Sequence, residues 1–285
     1  MSRAPVSSPK PIGLGVLALA VLVTASGPGL AHNPIFAPGP HLVYGGGLEV
    51  TIGYFRDRAS ATGTRQTEQE AEIELEYGLT PDLAAEVRVP YVDNDEDGSG
   101  ASGLGDVVLG GRYRFVRLDT PGLQRSAALL AQIKLPTGDD DRDPRLGSGS
   151  TDFVAGLLWG HESRRWYYNL AARYRLNTEG GGGLEKGDRQ LLDLVGGVRP
   201  VLTGYLEPDA VVFIELNWEN AGRDALNGAG VADTGGWQLF LSPGLFATWR
   251  NVAFRAGVQI PIARNLEGQG RATDYRVKAE LKYTF

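Results

Sequence analysis

The sequence lacks several features that mark common classes of protein. It contains no cysteine, which excludes disulfide bonds and thiolate metal sites. Beyond its first thirty or so residues, no apolar run approaches the ~20 residues of a membrane-spanning helix, which argues against an inner-membrane protein. The net charge of -6 argues against a nucleic-acid partner. The 40 glycines follow no triplet period and stand beside 5 tryptophans and 11 tyrosines, which excludes a collagen-like or disordered chain.

The start of the chain has the pattern of a secretory signal. A positively charged start is followed by an apolar run, residues 12–24, that is too short to cross a bilayer. Gly29 and Ala31 then occupy the two small-residue positions that precede a signal-peptidase cut. We therefore expect residues 1–31 to be a cleaved signal peptide.

What the chain has in abundance is alternation of apolar and polar residues. Its last eleven residues, Tyr275 to Phe285, place an apolar side chain at every odd position and a polar or charged one at every even position. A period of two with one apolar and one charged face predicts a β-strand between two different solvents. With Tyr283 and Phe285 as its barrel-closing signal, the segment resembles the last strand of a bacterial outer-membrane barrel, whose outer face meets lipid and whose inner face meets a watery lumen.

Similar segments recur through residues 46–285. They predict an all-β fold, a transmembrane antiparallel up-and-down β-barrel of about 12 strands, with both chain ends on the periplasmic side. The expected connections alternate in length. Short periplasmic turns are predicted at 78–82, 162–165 and 248–251, and long extracellular loops at 92–105, 137–151, 177–188 and 220–236.

Aromatic residues near the predicted strand ends support a membrane interface on both sides of the barrel. They are Tyr77, Tyr91, Trp159, Trp166, Trp218, Trp237, Trp249 and Tyr283. A soluble periplasmic β-sandwich would also alternate, but it has no reason to place aromatic belts at strand ends, so it is the weakest alternative.

The segment between signal and barrel, residues 32–45, is rich in proline and predicts a flexible periplasmic leader. If the signal is cut at the expected place, His32 becomes the first residue and lies nine positions before His41. An α-amine and an imidazole together chelate copper, so a second hypothesis is a metal site at His32 and His41. The sequence otherwise indicates no metal site and no cofactor.

Several local motifs resemble one family of outer-membrane barrels, named for the meta-pathway of phenol degradation and porin-like. The matching stretches are Tyr77-Gly78-Leu79-Thr80 with Asp82, Gly103-Leu104-Gly105-Asp106, Arg112-Tyr113-Arg114-Phe115, Lys134-Leu135-Pro136-Thr137-Gly138-Asp139, Leu146-Gly147-Ser148-Gly149-Ser150 and Leu241-Ser242-Pro243-Gly244. They cover most of the mature chain, but each is a turn or a strand edge and specifies the barrel more than its cargo. The resemblance implies passage of small compounds, aromatic ones among them, and carries over no catalytic residues.

Strand alternation assigns a set of charged side chains to the lumen. Carboxylates gather on the second and third strands, and most basic residues come from later strands. The candidate lumen-lining residues are Glu70, Glu72, Glu74, Glu76, Glu86, Arg88, Arg112, Arg114, Lys134, Arg173, Arg175, Arg255, Arg276, Lys278 and Lys282. About twelve strands leave a narrow pore, in which opposed charges either orient small polar solutes or pair with one another and plug the barrel.

The function predicted from these features is passive transport of small solutes through an outer-membrane channel, with no catalytic residues. The alternative is a non-conducting barrel with a lipase-like enzymatic or a metal- or ligand-binding role. His161-Glu162-Ser163 is the closest approach to a lipase pair, but it falls in a predicted periplasmic turn without a residue to orient the histidine. The acidic stretch from Asp93 to Gly98 begins like a calcium loop, yet its twelfth position is Leu104 rather than glutamate.

The expected location is the outer membrane of a Gram-negative cell. The expected partners are outer-membrane lipid and lipopolysaccharide, the barrel-assembly machinery acting on the C-terminal strand, and a small-molecule solute, with no nucleic acid.

Overall fold

A computed structural model describes residues 33–61, 63–204, 207–268 and 271–285. Twelve antiparallel strands follow one another around a closed barrel, in which the last strand pairs with the first. They are β1 (Leu48–Ala61), β2 (Thr64–Thr80), β3 (Leu83–Glu96), β4 in two parts (Ser99–Leu104 and Val108–Thr120), β5 (Leu123–Lys134), β6 (Asp152–Ser163), β7 (Trp166–Leu176), β8 (Arg189–Val198), β9 (Asp209–Ala221), β10 (Gly236–Trp249), β11 (Val252–Leu266) and β12 (Ala272–Thr284). The predicted fold class and strand number are confirmed.

The alternation of apolar and polar residues in the sequence explains how the two faces of the barrel wall differ. Ile52, Ile73 and Leu157 are 59%, 54% and 52% exposed on the outer face, whereas their neighbours of opposite parity turn inward and are buried or half-buried. An apolar outer surface of this extent is stable against lipid and unfavourable against water. The strands therefore carry apolar side chains outward. Their inward faces carry most of the charged side chains, together with apolar clusters in parts of the lumen.

The two ends of the barrel differ in their connections. At the turn end, the strands are joined by residues 81–82, 121–122, 164–165, 199–208 and 250–251. At the loop end, the longer connections are residues 135–151, 177–188 and 222–235. The expected tight turns therefore gather at one end and most of the expected long loops at the other.

One expected long loop is wrong. Residues 92–105 form a hairpin in which the end of β3 pairs with the first part of β4. Asp97 and Gly98 make its two-residue turn, with φ values of 51° and 89°. An Asp-Gly pair adopts these positive φ values at low cost and is a strong hairpin signal. The calcium-like stretch is consequently part of a strand and its turn.

Outside the barrel strands, residues 184–185, 225–226 and 229–230 form a small sheet over the loop end, preceded by a single turn of 3-10 helix at residues 181–183. The described residues form no helix with the length and apolar character that are required to cross a membrane.

The expected leader behaves differently from its composition. From Asn33 onward it is folded inside the turn half of the barrel, and Ile35, Ala37 and His41 are almost fully buried there. It joins β1 through residues 44–47 at the turn end, where the Gly46 N–H donates to the Gly78 carbonyl at 2.7 Å. The expected signal peptide, residues 1–31, and His32 lie outside the described residues.

Candidate functional site

The structure places every predicted lumen residue at an inward-facing strand position. On β2, Glu70 to Glu76 alternate with exposed apolar residues, and on β12 the basic residues alternate with apolar residues that are exposed or half-buried. The predicted residues do not form one uniform lining. They divide between a turn half, which the leader fills, and a loop half, which contains open cavities.

Glu215, on the inner face of β9, holds the leader. Its Oε1 accepts a hydrogen bond from the Ile35 N–H at 2.6 Å, and its Oε2 accepts from Phe36 at 3.2 Å and from Ala37 at 3.0 Å. A carboxylate that receives three backbone donors makes strong charge-assisted hydrogen bonds. The leader contributes backbone N–H groups, which the carboxylate binds whatever side chains the leader carries.

Arg112 on β4 holds the opposite side of the leader. Its Nη1 donates to the carbonyl oxygens of Gly39 at 3.3 Å and His41 at 3.0 Å, while its Nη2 is bonded to Glu76. Glu86 lies 3.6 Å from the same Nη2. Arg112 thus ties leader carbonyls to two carboxylates of the barrel wall.

The carboxylates of Glu74, Glu76 and Glu86 lie within 4.8 Å of one another, close enough to bind a metal ion. However, the Arg112 guanidinium already faces Glu76 and Glu86, and Arg88 lies 3.6 Å from Glu74. Two fixed guanidiniums therefore supply the positive charge that a cation would bring.

Ile35 sits in an apolar seat formed by the barrel wall. It packs in a buried cluster with Tyr167, Phe213 and Phe246. Gly244 provides the space, because a Cβ there would lie 2.5 Å from Ile35 Cγ1. The seat and Glu215 together hold this part of the leader by both apolar burial and hydrogen bonds.

His41 is buried, and its Nε2 lies 3.3 Å from Glu162 Oε2. Its predicted metal partner, His32, lies outside the described residues. In the described part of the chain, His41 does not belong to any group of three potential metal ligands. Its contact with Glu162 instead connects the leader to β6.

A buried polar layer lies above the leader. The Asn217 amide donates to Asp193 at 2.8 Å and accepts hydrogen bonds from Ser242 at 2.7 Å and Gln259 at 3.0 Å. Asn217 follows Glu215 by one inward position on β9, so the layer separates the leader from the cavities of the loop half.

The loop half contains two neighbouring cavities of about 550 Å³ each, which share Gln66, Glu68 and Lys186. We call them together the outer chamber. On one side it is lined by Glu68, Glu70 and Glu72 of β2. On the other it is lined by Arg175, Lys186 and Arg189, from β7, the 177–188 loop and β8.

The 135–151 loop folds over this chamber. Asp106, in the break of β4, accepts hydrogen bonds from the Gly138 N–H at 3.0 Å and the Ser148 N–H at 2.9 Å. Asn94 donates to the Arg145 carbonyl at 3.1 Å. These contacts hold the loop where Arg145 lines the chamber.

Most of the predicted basic lumen residues pair with acidic residues that the sequence argument did not include. Arg276 contacts Asp57 at 2.8 Å and Glu219 at 2.7 Å, and Arg173 contacts Asp193 at 2.7 Å. The remaining partners are as follows: Lys134 with Asp152 and Asp106, Arg255 and Lys278 with Glu280, Lys282 with Glu49, and Arg114 with Asp82. Strand parity was a usable signal for the missed residues within strands, because Glu49, Asp193, Glu215 and Glu219 all occupy inward positions.

Three predicted residues differ from this pattern. Glu70, Glu72 and Arg175 face the outer chamber, and none makes an ion pair with another described residue. Nearby, burial and the positive charges of Arg189 and Lys134 lower the pKa of Lys186 in the 177–188 loop. Positive charge is thus crowded on one wall of the outer chamber.

The lipase-like triplet has no catalytic geometry. Ser163 Oγ accepts a hydrogen bond from the Trp166 N–H at 2.9 Å, which stabilises the β6–β7 turn. The His161 ring lies beside Trp159 and Tyr168, with its Nδ1 3.3 Å from Arg125 Nε. The two side chains therefore have separate partners.

The proposed closing signal lies at the seam of the barrel. Tyr283 pairs with Val50 across β12 and β1, and the Phe285 N–H donates to the Leu48 carbonyl at 2.8 Å. The two aromatic rings meet edge to face with centroids 4.6 Å apart.

Comparison with solved structures supports the barrel architecture. The COG4313 outer membrane channel from Pseudomonas putida F1 is 16% identical, with a TM-score of 0.68 over 87% of this chain and 99% of that one. The beta domain of the Bordetella autotransporter Brka is also 16% identical, with a TM-score of 0.54 over 85% and 100%. At such low identity these likenesses show a shared fold.

No curated protein matches the chain in sequence. The family described as "Putative MetA-pathway of phenol degradation" matches residues 31–260, which is well over half of the sequence. The resemblance drawn from the turn and strand-edge motifs is thereby confirmed, and the chain belongs to this family.

Proposed function

We propose that the protein is an outer-membrane channel for the passive passage of small solutes, and that its leader limits the flow. The turn end faces the periplasm and the loop end faces the outside of the cell, as in bacterial barrels with short periplasmic turns. Family membership and the barrel fold support this assignment.

The observation that carries the proposal is the unequal filling of the lumen. The outer chamber offers a polar entrance, whereas the turn half is filled by a segment of the chain's own N-terminal region. That segment connects to the wall at β1 and is otherwise held by hydrogen bonds, ion-pair contacts and apolar packing. Such contacts can open without breaking the barrel, because the strand ladder is complete without the leader.

Small polar solutes fit the lumen better than aromatic compounds. The family description refers to phenol degradation. Among the described residues, however, no aromatic side chain lines the outer chamber, whose surface is dominated by carboxylates, guanidiniums and amides. Stacking surfaces that would favour an aromatic ring over a polar solute are therefore lacking in this part of the lumen.

The location and partners follow from the same proposal. A cleaved signal would export the chain, the assembly machinery would act on β12, and the apolar outer face would then meet lipid. Lipopolysaccharide would surround the loop end, where the acidic hairpin of β3 and β4 projects. Limited proteolysis of intact cells tests this orientation, since loop-end cuts are expected before any cut in the leader.

Because the turn half is filled, the alternative function is that of a non-conducting barrel with a binding or enzymatic role. Single-channel recording in planar bilayers separates the two functions. We expect residues 32–285, refolded in detergent, to give discrete current steps, and sugar-sized polar solutes to swell vesicles that contain the protein. A folded barrel that gives neither steps nor swelling would reject the channel.

A further inference from the structure

The outer chamber contains charges that the fold leaves without ion-pair partners. The basic ones are Arg175, Lys186 and Arg189, and the acidic ones are Glu68, Glu70 and Glu72. In the described part of the chain, none of these side chains forms an ion pair. Glu70 and Glu72 are hydrogen-bonded to each other, and Arg88, which also lines this space, lies near both. Arg175 Nε is buried without a hydrogen-bond acceptor, as is Arg112 Nε. This contrasts with the rest of the lumen, where basic side chains such as Arg112, Arg255 and Arg276 each contact a carboxylate.

The basic wall is unfavourable for the barrel on its own. Arg175 and Arg189 face each other directly across β7 and β8, and both point inward. Like charges in directly opposed strand positions repel. This pair does not stabilise the fold, so a ligand that neutralises the basic wall would relieve an existing repulsion.

The two unpaired walls face the same space but do not neutralise each other. Arg175 and Lys186 line one cavity together with Glu70 and Glu72, and Glu68 lies within electrostatic range of Lys186 and Arg189. Among the described residues, no ion pair joins the two walls. A solute with a single charge would satisfy one wall and leave the other unpaired.

We propose that the outer chamber binds small zwitterions whose carboxylate and ammonium groups lie at opposite ends of the molecule, such as dipeptides. The carboxylate binds Arg175 and Arg189, since guanidiniums suit bidentate contact with carboxylates. The ammonium donates to Glu68 and Glu70. Binding of the zwitterion does not require the proposed channel function. Only the passage of the bound solute through the barrel rests on it.

Size favours a dipeptide over a single amino acid. Each cavity of about 550 Å³ lies within the range of ~300–1,000 Å³ that is common for small-molecule sites. A fully extended dipeptide spans about 7 Å, which allows its ends to approach opposite walls. The charges of glycine are too close together to reach both.

Isothermal titration of the full mature chain, folded in detergent, tests the proposal with four probes. Diglycine carries both charges at opposite ends, and glycine carries both close together. N-acetyl-diglycine keeps only the negative charge, and diglycine amide keeps only the positive charge. We expect diglycine to bind at least about tenfold more tightly than each of the others. Equal binding of N-acetyl-diglycine or of the amide would overturn the zwitterion in favour of a one-charge site, and absence of diglycine binding would overturn the site itself.

Substitutions locate the two contacts. Arg175→Gln and Glu70→Gln are each expected to weaken diglycine binding at least about tenfold. Arg142→Gln is the matched control, because Arg142 is exposed on the 135–151 loop and pairs with Asp139. This variant should bind diglycine as tightly as the unmodified protein. If the two chamber variants bind diglycine as tightly as the control, the walls are not the site. Should a variant fail to fold, the order of the four probes on the unmodified chain still decides.

The same protein distinguishes this inference from the channel function. Diglycine that binds a barrel giving no current would reject the channel and retain the site. A conducting barrel whose current is insensitive to diglycine, and which shows no heat of binding, would retain the channel and reject the site.

Discussion

In the turn half of the lumen, Arg112, Arg255 and Lys282 each contact a carboxylate, and the leader fills the space between them. In the loop half, Arg175 and Glu70 face an open chamber without ion pairs among the described residues. Both halves are lined by the same strands with the same inward alternation. They differ in whether water has access to the charges.

That difference shows how to interpret a charged lumen. Where a segment of chain excludes water, a buried charge is stable only if it is paired and hydrogen-bonded. Where a cavity remains open, an unpaired charge is tolerated and is available to a solute. An inward-facing arginine is therefore weak evidence for conduction, whereas an inward-facing arginine without a partner is better evidence for contact with a solute.

Removing the leader should have the largest effect on this contrast. Deletion of residues 33–43 is expected to make the turn half as open as the loop half and to raise single-channel conductance roughly threefold or more, since the barrel is wide enough for a pore. Heat-modified migration on a gel would show that the variant still folds. Unchanged conductance in a folded variant would mean that the leader does not limit flow.

Arg112→Ala should strongly destabilise the turn half. It leaves Glu76 buried without its guanidinium, and breaking a buried pair in this way is expected to reduce the free energy of unfolding by about 3 kcal/mol or more. Urea unfolding in lipid vesicles measures the change. Arg175→Ala in the loop half is the comparison, and an equal loss in both variants would remove the distinction between paired and unpaired charges.

Glu215→Gln should loosen the leader and leave the barrel folded. The amide retains one acceptor oxygen and loses the negative charge that receives the Ile35, Phe36 and Ala37 donors, a loss of about 2 kcal/mol in leader docking. Hydrogen exchange of these three amides should accelerate. Glu70→Gln, which makes the same change to an inner carboxylate of the outer chamber, should leave their exchange unchanged.

Arg175→Gln should have a small effect on stability and a clear one on ion selectivity. Because Arg175 opposes Arg189, its neutralisation is expected to change the free energy of unfolding by less than about 1 kcal/mol, towards greater stability. The reversal potential in a salt gradient should shift away from anions. A large destabilisation would indicate that the basic wall has a structural role.

Ser163→Ala should have the smallest effect, below about 0.5 kcal/mol, because the residue lies in an exposed turn outside both halves of the lumen. Esterase assays with the folded protein should give the same result before and after the change. Hydrolysis that disappears with Ser163 would establish the enzymatic alternative instead.

The sequence predicted the architecture well because the bilayer imposes a simple rule on each strand. Apolar side chains such as Ile52 and Ile73 must face lipid, so their neighbours of opposite parity must face inward, and the predicted lumen residues follow directly. The same rule extends to Glu215, which lies between Ile214 and Leu216. Its role as the leader's anchor was not predictable, because parity assigns a face and does not identify the contact across it.

The leader was misjudged for a physical reason. Its proline content suggested an extended, solvated segment, but the contacts that hold it are made largely by backbone groups, including the Ile35 N–H and the Gly39 and His41 carbonyls. Backbone donors and acceptors leave no pattern in the sequence. The hairpin at Asp97-Gly98, by contrast, had a readable signal, which the surrounding acidic residues obscured.

The most direct test of the account fixes the leader in place. The chain has no cysteine, so Ile35→Cys with Gly244→Cys introduces a single pair at a point where a Cβ on residue 244 would lie 2.5 Å from Ile35 Cγ1. In planar bilayers the oxidised protein should remain in a low-conductance state, and reduction should restore the openings of the parent chain. Identical currents before and after reduction, in a protein shown to contain the disulfide, would contradict the claim that the leader controls passage through the barrel.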